Sequence, residues 1–220
     1  MRIAVLISGR GSNMVSLADT IAPDLVEIAL VAANTPCDGL TLAADRGLET
    51  ALVDRAAFAS KATHETALGD AIEAAAVDWI CLAGYMAILS PAFIDRFANR
   101  IINIHPSLLP DLKGLDTHSR ALRTGARRHG ASVHLVTAAL DDGPILLQAG
   151  LDIMPEDSEA GLAARVLQLE HALYPFVMAS IASGNLSVAG DTVVWTDGET
   201  ALASAGDRIA GLLEQAVIWP

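Results

Sequence analysis

Cysteine is nearly absent: Cys37 and Cys81 are the only two in 220 residues. Their separation matches neither a metal-ligand pair nor a redox dithiol. Cys81 sits in the apolar run DWICLAG, the setting of a buried thiol in a reducing cytoplasm. Positive charge is scarce as well, with 14 Lys and Arg against 26 Asp and Glu, a formal net charge of -12. An acidic surface repels phosphodiester backbones and argues against nucleic-acid partners. It leaves open a single phosphate held locally by backbone N–H groups. Long apolar runs are missing too. MRIAVLISGRG has an uninterrupted run of five apolar residues before Ser8, too few for a signal peptide or a membrane span. No repeat, low-complexity tract or loop-like linker interrupts the chain. The expectation is one cytoplasmic domain over residues 1–220 with no membrane partner.

Short apolar runs alternate with segments of helical period. The runs are RIAVLI (2–7), VEIALVAA (26–33), ETALVD (49–54), DWICLAG (78–84) and RIINIH (100–105). Between them lie SNMVSLADTIA, DGLTLAADRG and KATHETALGDAIEAAA, the last with Ala and Leu at helical spacing and charges opposite. Continuous apolar strands joined by helices predict an α/β fold with a doubly wound, mostly parallel sheet. Ligands are then expected at the carboxyl ends of its strands. After residue 110 the pattern changes. GASVHLVT (130–137) and PILLQAGLDI (144–153) are too close for a helical crossover, so they should pair antiparallel. Ser158 is placed to cap a long helix that Gly184 ends. Asp197-Gly198 reads as a hairpin turn, and DRIAGLLEQAVIW as an amphipathic terminal helix.

Three stretches carry chemistry. SGRGSN, Ser8 to Asn13, follows the first strand, and Gly9 and Gly11 let the backbone approach a ligand closely. The spacing is neither a G-x-G-x-x-G fingerprint, since residue 14 is Met, nor a Walker loop. It fits a phosphate cradle at a helix start near Ser12, or an ordinary turn capped by Ser12. In IINIHPSLLP, Asn103 and His105 fall on one face at period two where a strand runs out. An amide donor beside a titratable imidazole is what acyl transfer uses: one steadies an oxyanion and the other handles the amine proton. In LDDGPILLQ, Asp141 or Asp142 either shapes a turn or orients His105. No H-x-H or H-x-x-x-H pair and no G-x-S-x-G elbow exists. A metal site would be a rival use for His105, His118 and an aspartate, and no metal is expected.

ISGRGSN, LAGYMAILSPAF, NIHPSLLP, GLDTH, GASVHLVT, LDDGPILLQ and LEHALYP occur in this order. Together they resemble the phosphoribosylglycinamide formyltransferase family over about residues 2–185. The resemblance implies a transferase that moves the formyl group of 10-formyltetrahydrofolate, as co-substrate, to the amine of glycinamide ribonucleotide in purine synthesis. It implies Asn103, His105 and Asp141 as the catalytic trio. Gly11, Ser12 and Asn13 would hold the ribonucleotide phosphate, and Glu170 the ribose. Met86, Ala87, Ile88 and Leu89, with Asn103 and Thr137, Ala138, Ala139, Leu140 and Asp141, would surround the folate. Lys61 would lie near its glutamate tail. Many relatives carry Arg where this chain has Ala87, and some carry Arg at Lys61, which implies weaker charge contacts with that tail. Residues 1–100 would bind the ribonucleotide and 101–185 carry folate and catalysis, with a hairpin and helix over 186–220. A monomer or homodimer acting on small molecules is expected.

The alternative is a 10-formyltetrahydrofolate hydrolase, in which water accepts the formyl group. Such relatives carry an N-terminal regulatory domain, for which a first strand at Arg2 leaves no room. A methionyl-tRNA formyltransferase would need a further C-terminal domain and a basic surface. A regulatory nucleotide-binding module would not need Asn103, His105 and Asp141 together.

Overall fold

The computed structural model describes residues 1–190 and 192–220. Asp191, within the expected hairpin and helix of 186–220, lies outside them. The architecture is mixed α/β, with mainly parallel strands followed by antiparallel ones toward the C-terminus. The chain forms two compact units, Met1–Asn103 and Ile104–Pro220.

The first unit contains β1 (Arg2–Ile7), α1 (Ser12–Thr20), β2 (Glu27–Ala33), α2 (Asp38–Ala44), β3 (Thr50–Leu52), α3 (Lys61–Ala74), β4 (Trp79–Leu82) and α4 (Pro91–Arg96). It also takes in most of β5 (Ile101–His105). All of its strand pairs are parallel, in the order β5-β4-β1-β2-β3. Ile3, Ala4, Val5, Leu6 and Ile7 are wholly buried, because β1 lies between β2 and β4 with apolar residues required on both faces. Each large side chain of that run stabilises the fold by about 1.5–3 kcal/mol through burial. The chain winds from β1 to β2 and β3 on one side, then returns to β4 on the other. That reversal opens the crevice at the carboxyl end of β1. On α3, His64, Glu65, Leu68, Gly69 and Ile72 face inward at helical spacing. Ser60 caps this helix in a reciprocal box with Thr63.

The second unit pairs β6 (Arg128–Leu135) with β7 (Ile145–Asp152) antiparallel, as their spacing requires, and Ser132 stands opposite Gln148. It also holds α5 (Thr117–Thr124) and the 25-residue α6 (Glu159–Ser183). The Ser158 hydroxyl accepts the Gly161 N–H at α6's start, and Gly184 closes it in the left-handed region at φ 80°. Leu162, Val166, Leu169, Leu173 and Val177 form its buried stripe.

The C-terminal segment departs from expectation. The hairpin is β8 (Leu186–Ala189) with β9 (Thr192–Trp195), and Asp197-Gly198 is not its turn. Asp197 instead accepts the Thr200 N–H and starts α7 (Gly198–Ala203). Aspartate is as good a helix cap as a turn former, and capping prevails here. The expected terminal helix stops early: α8 covers Asp207–Leu213, and Val217–Ile218 form β10, antiparallel to β7. Trp195 secures this region by stacking on Phe176 at 5.6 Å and meeting Trp219 edge-on at 4.9 Å. Its indole N–H donates to the Leu146 carbonyl at 2.9 Å.

Candidate active site

In the first unit, the loop after β1 is shaped by two glycines in contact. A Cβ on Gly39 would lie 2.6 Å from Ile7 Cδ1 and 2.7 Å from the Gly9 carbonyl oxygen. A Cβ on Gly11 would lie 3.0 Å from Gly39 Cα. Gly39 N–H donates to that Gly9 carbonyl at 3.0 Å, so the start of α2 braces the loop. Gly11 is the residue that caps α1, at φ 74°, and no side chain closes the cap. The expected alternative of a Ser12 cap is therefore not what forms; Ser12 is the first helical residue. Backbone amides at such a helix start carry a partial positive charge suited to an anion.

The segment after β4 is held at both ends. Ser8 N–H donates to the Gly84 carbonyl at 3.1 Å. Met86 N–H donates to the Ser8 hydroxyl at 2.8 Å, and that hydroxyl donates to Asn34 Oδ1 at 2.7 Å. At the far end, the Ser90 N–H donates to Glu65 Oε1 at 2.9 Å, and its hydroxyl makes a short bond to Glu65 Oε2. Between these anchors Met86 and Ile88 are 71% and 67% exposed, whereas Leu89 is buried. Large apolar side chains held out in this way are available to a ligand. Lys61 lies 3.7 Å from Glu65. Sequence reading missed Glu65; its signal was a carboxylate on the apolar face of α3. Tyr85 is buried beside it, and desolvation followed by the Glu65 charge pushes its phenol up to about 12.

Asn103 and His105 are alternate residues of β5, the first half-buried and the second buried. In the second unit, His105 Nε2 donates to the Leu112 carbonyl at 3.1 Å. Its Nδ1 lies 3.5 Å from Asp141 Oδ2. Each ring nitrogen of His105 thus faces an oxygen, a carbonyl on one side and a carboxylate on the other. Asp141 sits in the left-handed region at φ 47°, where aspartate is one of the few side chains tolerated. The Gly114 N–H donates to its Oδ2 at 2.9 Å, and His134 Nε2 lies 3.7 Å from its Oδ1. His134 Nδ1 donates to the Leu135 carbonyl at 2.8 Å, and burial lowers the basicity of this ring. Asp142, the other candidate, turns away to a short ion pair with Lys113. The structure thus brings Asp141, and not Asp142, to His105.

The loop after His105 is fixed from below by hydroxyls. Ser132 on β6 donates to the Ser107 carbonyl at 2.6 Å and accepts the Leu109 N–H at 3.0 Å. Gln148 on β7 donates to Ser132 at 2.7 Å and to the Leu109 carbonyl at 2.9 Å. Ser107 is wholly buried, its hydroxyl bonded to the Asp111 carbonyl at 2.7 Å, so it presents no nucleophile. Thr137 bonds to the Ala139 carbonyl at 3.3 Å; Ala138, Ala139 and Leu140 are exposed. Glu170 is buried on α6. His118 and His129 share a 3.0 Å hydrogen bond. Burial lowers both, His129 to about 4, so this pair is neutral near pH 7. Among the described residues no group of three or more His, Cys, Asp and Glu is placed to hold a metal ion. Nor is any helix among them long and apolar enough to cross a membrane.

The formyl transferase family model matches residues 1–178. The chain belongs to the formyl transferase family. Among its relatives, the phosphoribosylglycinamide formyltransferase of Escherichia coli is 41% identical over 90% of this chain and 95% of its own. The trifunctional purine biosynthetic protein adenosine-3 of Drosophila melanogaster is 38% identical over 83% of this chain, which spans 14% of that longer protein. A solved phosphoribosylglycinamide formyltransferase from Coxiella burnetii superposes with a TM-score of 0.85 at 40% identity, covering 90% of this chain and 94% of that one.

Proposed function

We propose that this family member transfers the formyl group of 10-formyltetrahydrofolate to the amine of N1-(5-phospho-D-ribosyl)glycinamide, in purine biosynthesis. The products are the formyl-ribonucleotide and tetrahydrofolate. The observation that carries this reading is the 41% identity to a phosphoribosylglycinamide formyltransferase along nearly the whole of both chains. The enzyme acts in the cytoplasm as a monomer or homodimer on small molecules, without nucleic acid, membrane or metal. Residues 1–220 work as one catalytic domain.

In the proposed mechanism the substrate amine attacks the formyl carbon, and the carbonyl electrons become an oxyanion. Asn103 and protonated His105 donate hydrogen bonds to that oxygen. Removing one such donor typically costs on the order of 10²–10³ in rate. Asp141, 3.5 Å from His105 Nδ1, supports the charged imidazole. The carbon–nitrogen bond to folate then breaks, and the proton lost by the amine is delivered to the departing nitrogen. Gly11, Ser12 and Asn13 hold the phosphate, with Glu170 on the ribose. Met86 to Leu89 and Thr137 to Asp141 flank the folate, and Lys61 lies toward its tail. Holding two reactants adjacent supplies up to about 7–11 kcal/mol of the barrier reduction.

The test is absorbance-monitored release of tetrahydrofolate with and without the ribonucleotide. Strict dependence on the ribonucleotide supports transfer. Release at the same rate without it means that water is the acceptor, and the protein is then a 10-formyltetrahydrofolate hydrolase.

A further inference from the structure

The Ser8 hydroxyl touches the loop segments that follow three neighbouring strands. Ser8 follows β1, Asn34 follows β2, and Met86 lies just beyond β4. The hydroxyl donates its only proton to Asn34 Oδ1 at 2.7 Å and accepts the Met86 N–H at 2.8 Å. Its direction is therefore set, and no other residue type with an apolar side chain could replace both bonds. The Ser8 N–H adds a third tie, to the Gly84 carbonyl at 3.1 Å. Gly84 is in the left-handed region at φ 76°, which turns the chain back toward Ser8. Gly9, the next residue in the chain, accepts the Gly39 N–H at 3.0 Å, and Gly39 lies against Gly11 at the start of α1. One side of this joint is the loop read as the phosphate cradle. The other is the segment that presents Met86 and Ile88.

We infer that Ser8 is a positioning residue that couples the two substrate sites: ordering the phosphate loop orders the Met86–Leu89 segment, and the reverse. The inference rests on the proposed function, since it takes the ribonucleotide and the folate as the two ligands. Coupling of this kind is reciprocal by thermodynamic necessity, and each ligand tightens the other by the same factor. Glu65 grips Ser90 at the other end of the segment, and its hydrogen-bond and ion-pair partners among the described residues are Ser90 and Lys61, neither of them in the phosphate loop. Loosening it should weaken folate binding without removing the coupling.

Calorimetric titration of the full chain with glycinamide ribonucleotide, alone and saturated with tetrahydrofolate, reads the coupling directly, because that pair cannot react. In the wild type tetrahydrofolate should tighten the ribonucleotide at least about fivefold. Ser8→Ala should bring the factor to within about twofold of unity, and Ser8→Thr, which keeps a hydroxyl, should recover it. Asn34→Ala, which removes the acceptor that aims the hydroxyl, should reduce the factor as well, and provides a second reading if Ser8→Ala folds poorly. Glu65→Gln should raise the folate Kd and leave the factor near wild type. An equal factor in wild type and Ser8→Ala overturns the inference, as does a factor of one in wild type that binds both ligands. Wild type that binds no ribonucleotide overturns the proposed function itself, and the inference with it.

Discussion

Replacing Asp141 by Asn removes a charge and almost no volume, so its effect isolates electrostatics. The carboxylate is 3.5 Å from His105 Nδ1. At an effective dielectric of about 20, a unit pair at that distance attracts by about 5 kcal/mol. Solvent screening and the residual dipole of the asparagine amide retain part of this, so a loss of about 3 kcal/mol is expected. That is roughly a 150-fold fall in kcat. The Asn carbonyl can still accept the Gly114 N–H, which Asp141 Oδ2 now takes at 2.9 Å, so the loop should stay in place. The assay is ribonucleotide-dependent tetrahydrofolate release across pH 5 to 9, with the fold checked by circular dichroism. A kcat within threefold of wild type at every pH would refute the view that Asp141 supports a charged His105.

Three further outcomes follow from the same geometry. His129 is held at about 4 by burial against about 6.5 in an unfolded chain. The unfolded state then binds more protons between those values, so stability is complete above about pH 6.5 and falls as pH drops toward 4, by up to about 3 kcal/mol. Denaturant unfolding at pH 7 and 4.5 should show that fall in wild type and a smaller one in His129→Gln; equal slopes would contradict it. Ser132→Ala leaves the Leu109 N–H without its partner in a buried site, and should cost about 1–3 kcal/mol by the same unfolding assay; no change would remove Ser132 as the support of the loop. Gly143→Ala would place a Cβ 1.9 Å from the Leu135 carbonyl oxygen, which forces the loop bearing Asp141 to move. Activity should drop at least tenfold, with about 1–3 kcal/mol of stability lost; wild-type activity would show that the loop's position is immaterial.

How far the sequence could be read depended on how local the determining forces are. The buried strands were legible because burial on both faces demands unbroken apolar runs, as in Ile3 to Ile7. The long helix was legible because Ser158 and Gly184 are capping residues at its two ends. The alternation of Asn103 and His105 was visible because strand period is local too. The choice between Asp141 and Asp142 was not visible from pattern. It depends on a backbone turn at φ 47° and on Lys113, which is distant in sequence and takes Asp142. Asp197 misled because the same side chain serves turns and helix caps. Glu65 and Ser132 escaped notice, and Ser8 was read only as the start of the glycine loop, because their significance lies in partners from other strands and loops. Glu65 reaches Ser90, Ser8 reaches Asn34 and Met86, and Ser132 reaches Ser107 and Leu109.

The central claim is that a formyl group passes from folate to the ribonucleotide amine through the strand end that carries Asn103 and His105. Single-turnover transfer from 10-formyltetrahydrofolate labelled in the formyl carbon tests it most directly, with wild type, Asn103→Ala and His105→Ala compared at saturating substrates. The account predicts that wild type places the label on glycinamide ribonucleotide in equal measure to the tetrahydrofolate formed. It predicts that each variant, still folded and still binding both substrates, is slower by on the order of 10²–10³. Label recovered as free formate, or transfer at the wild-type rate in either variant, would contradict it.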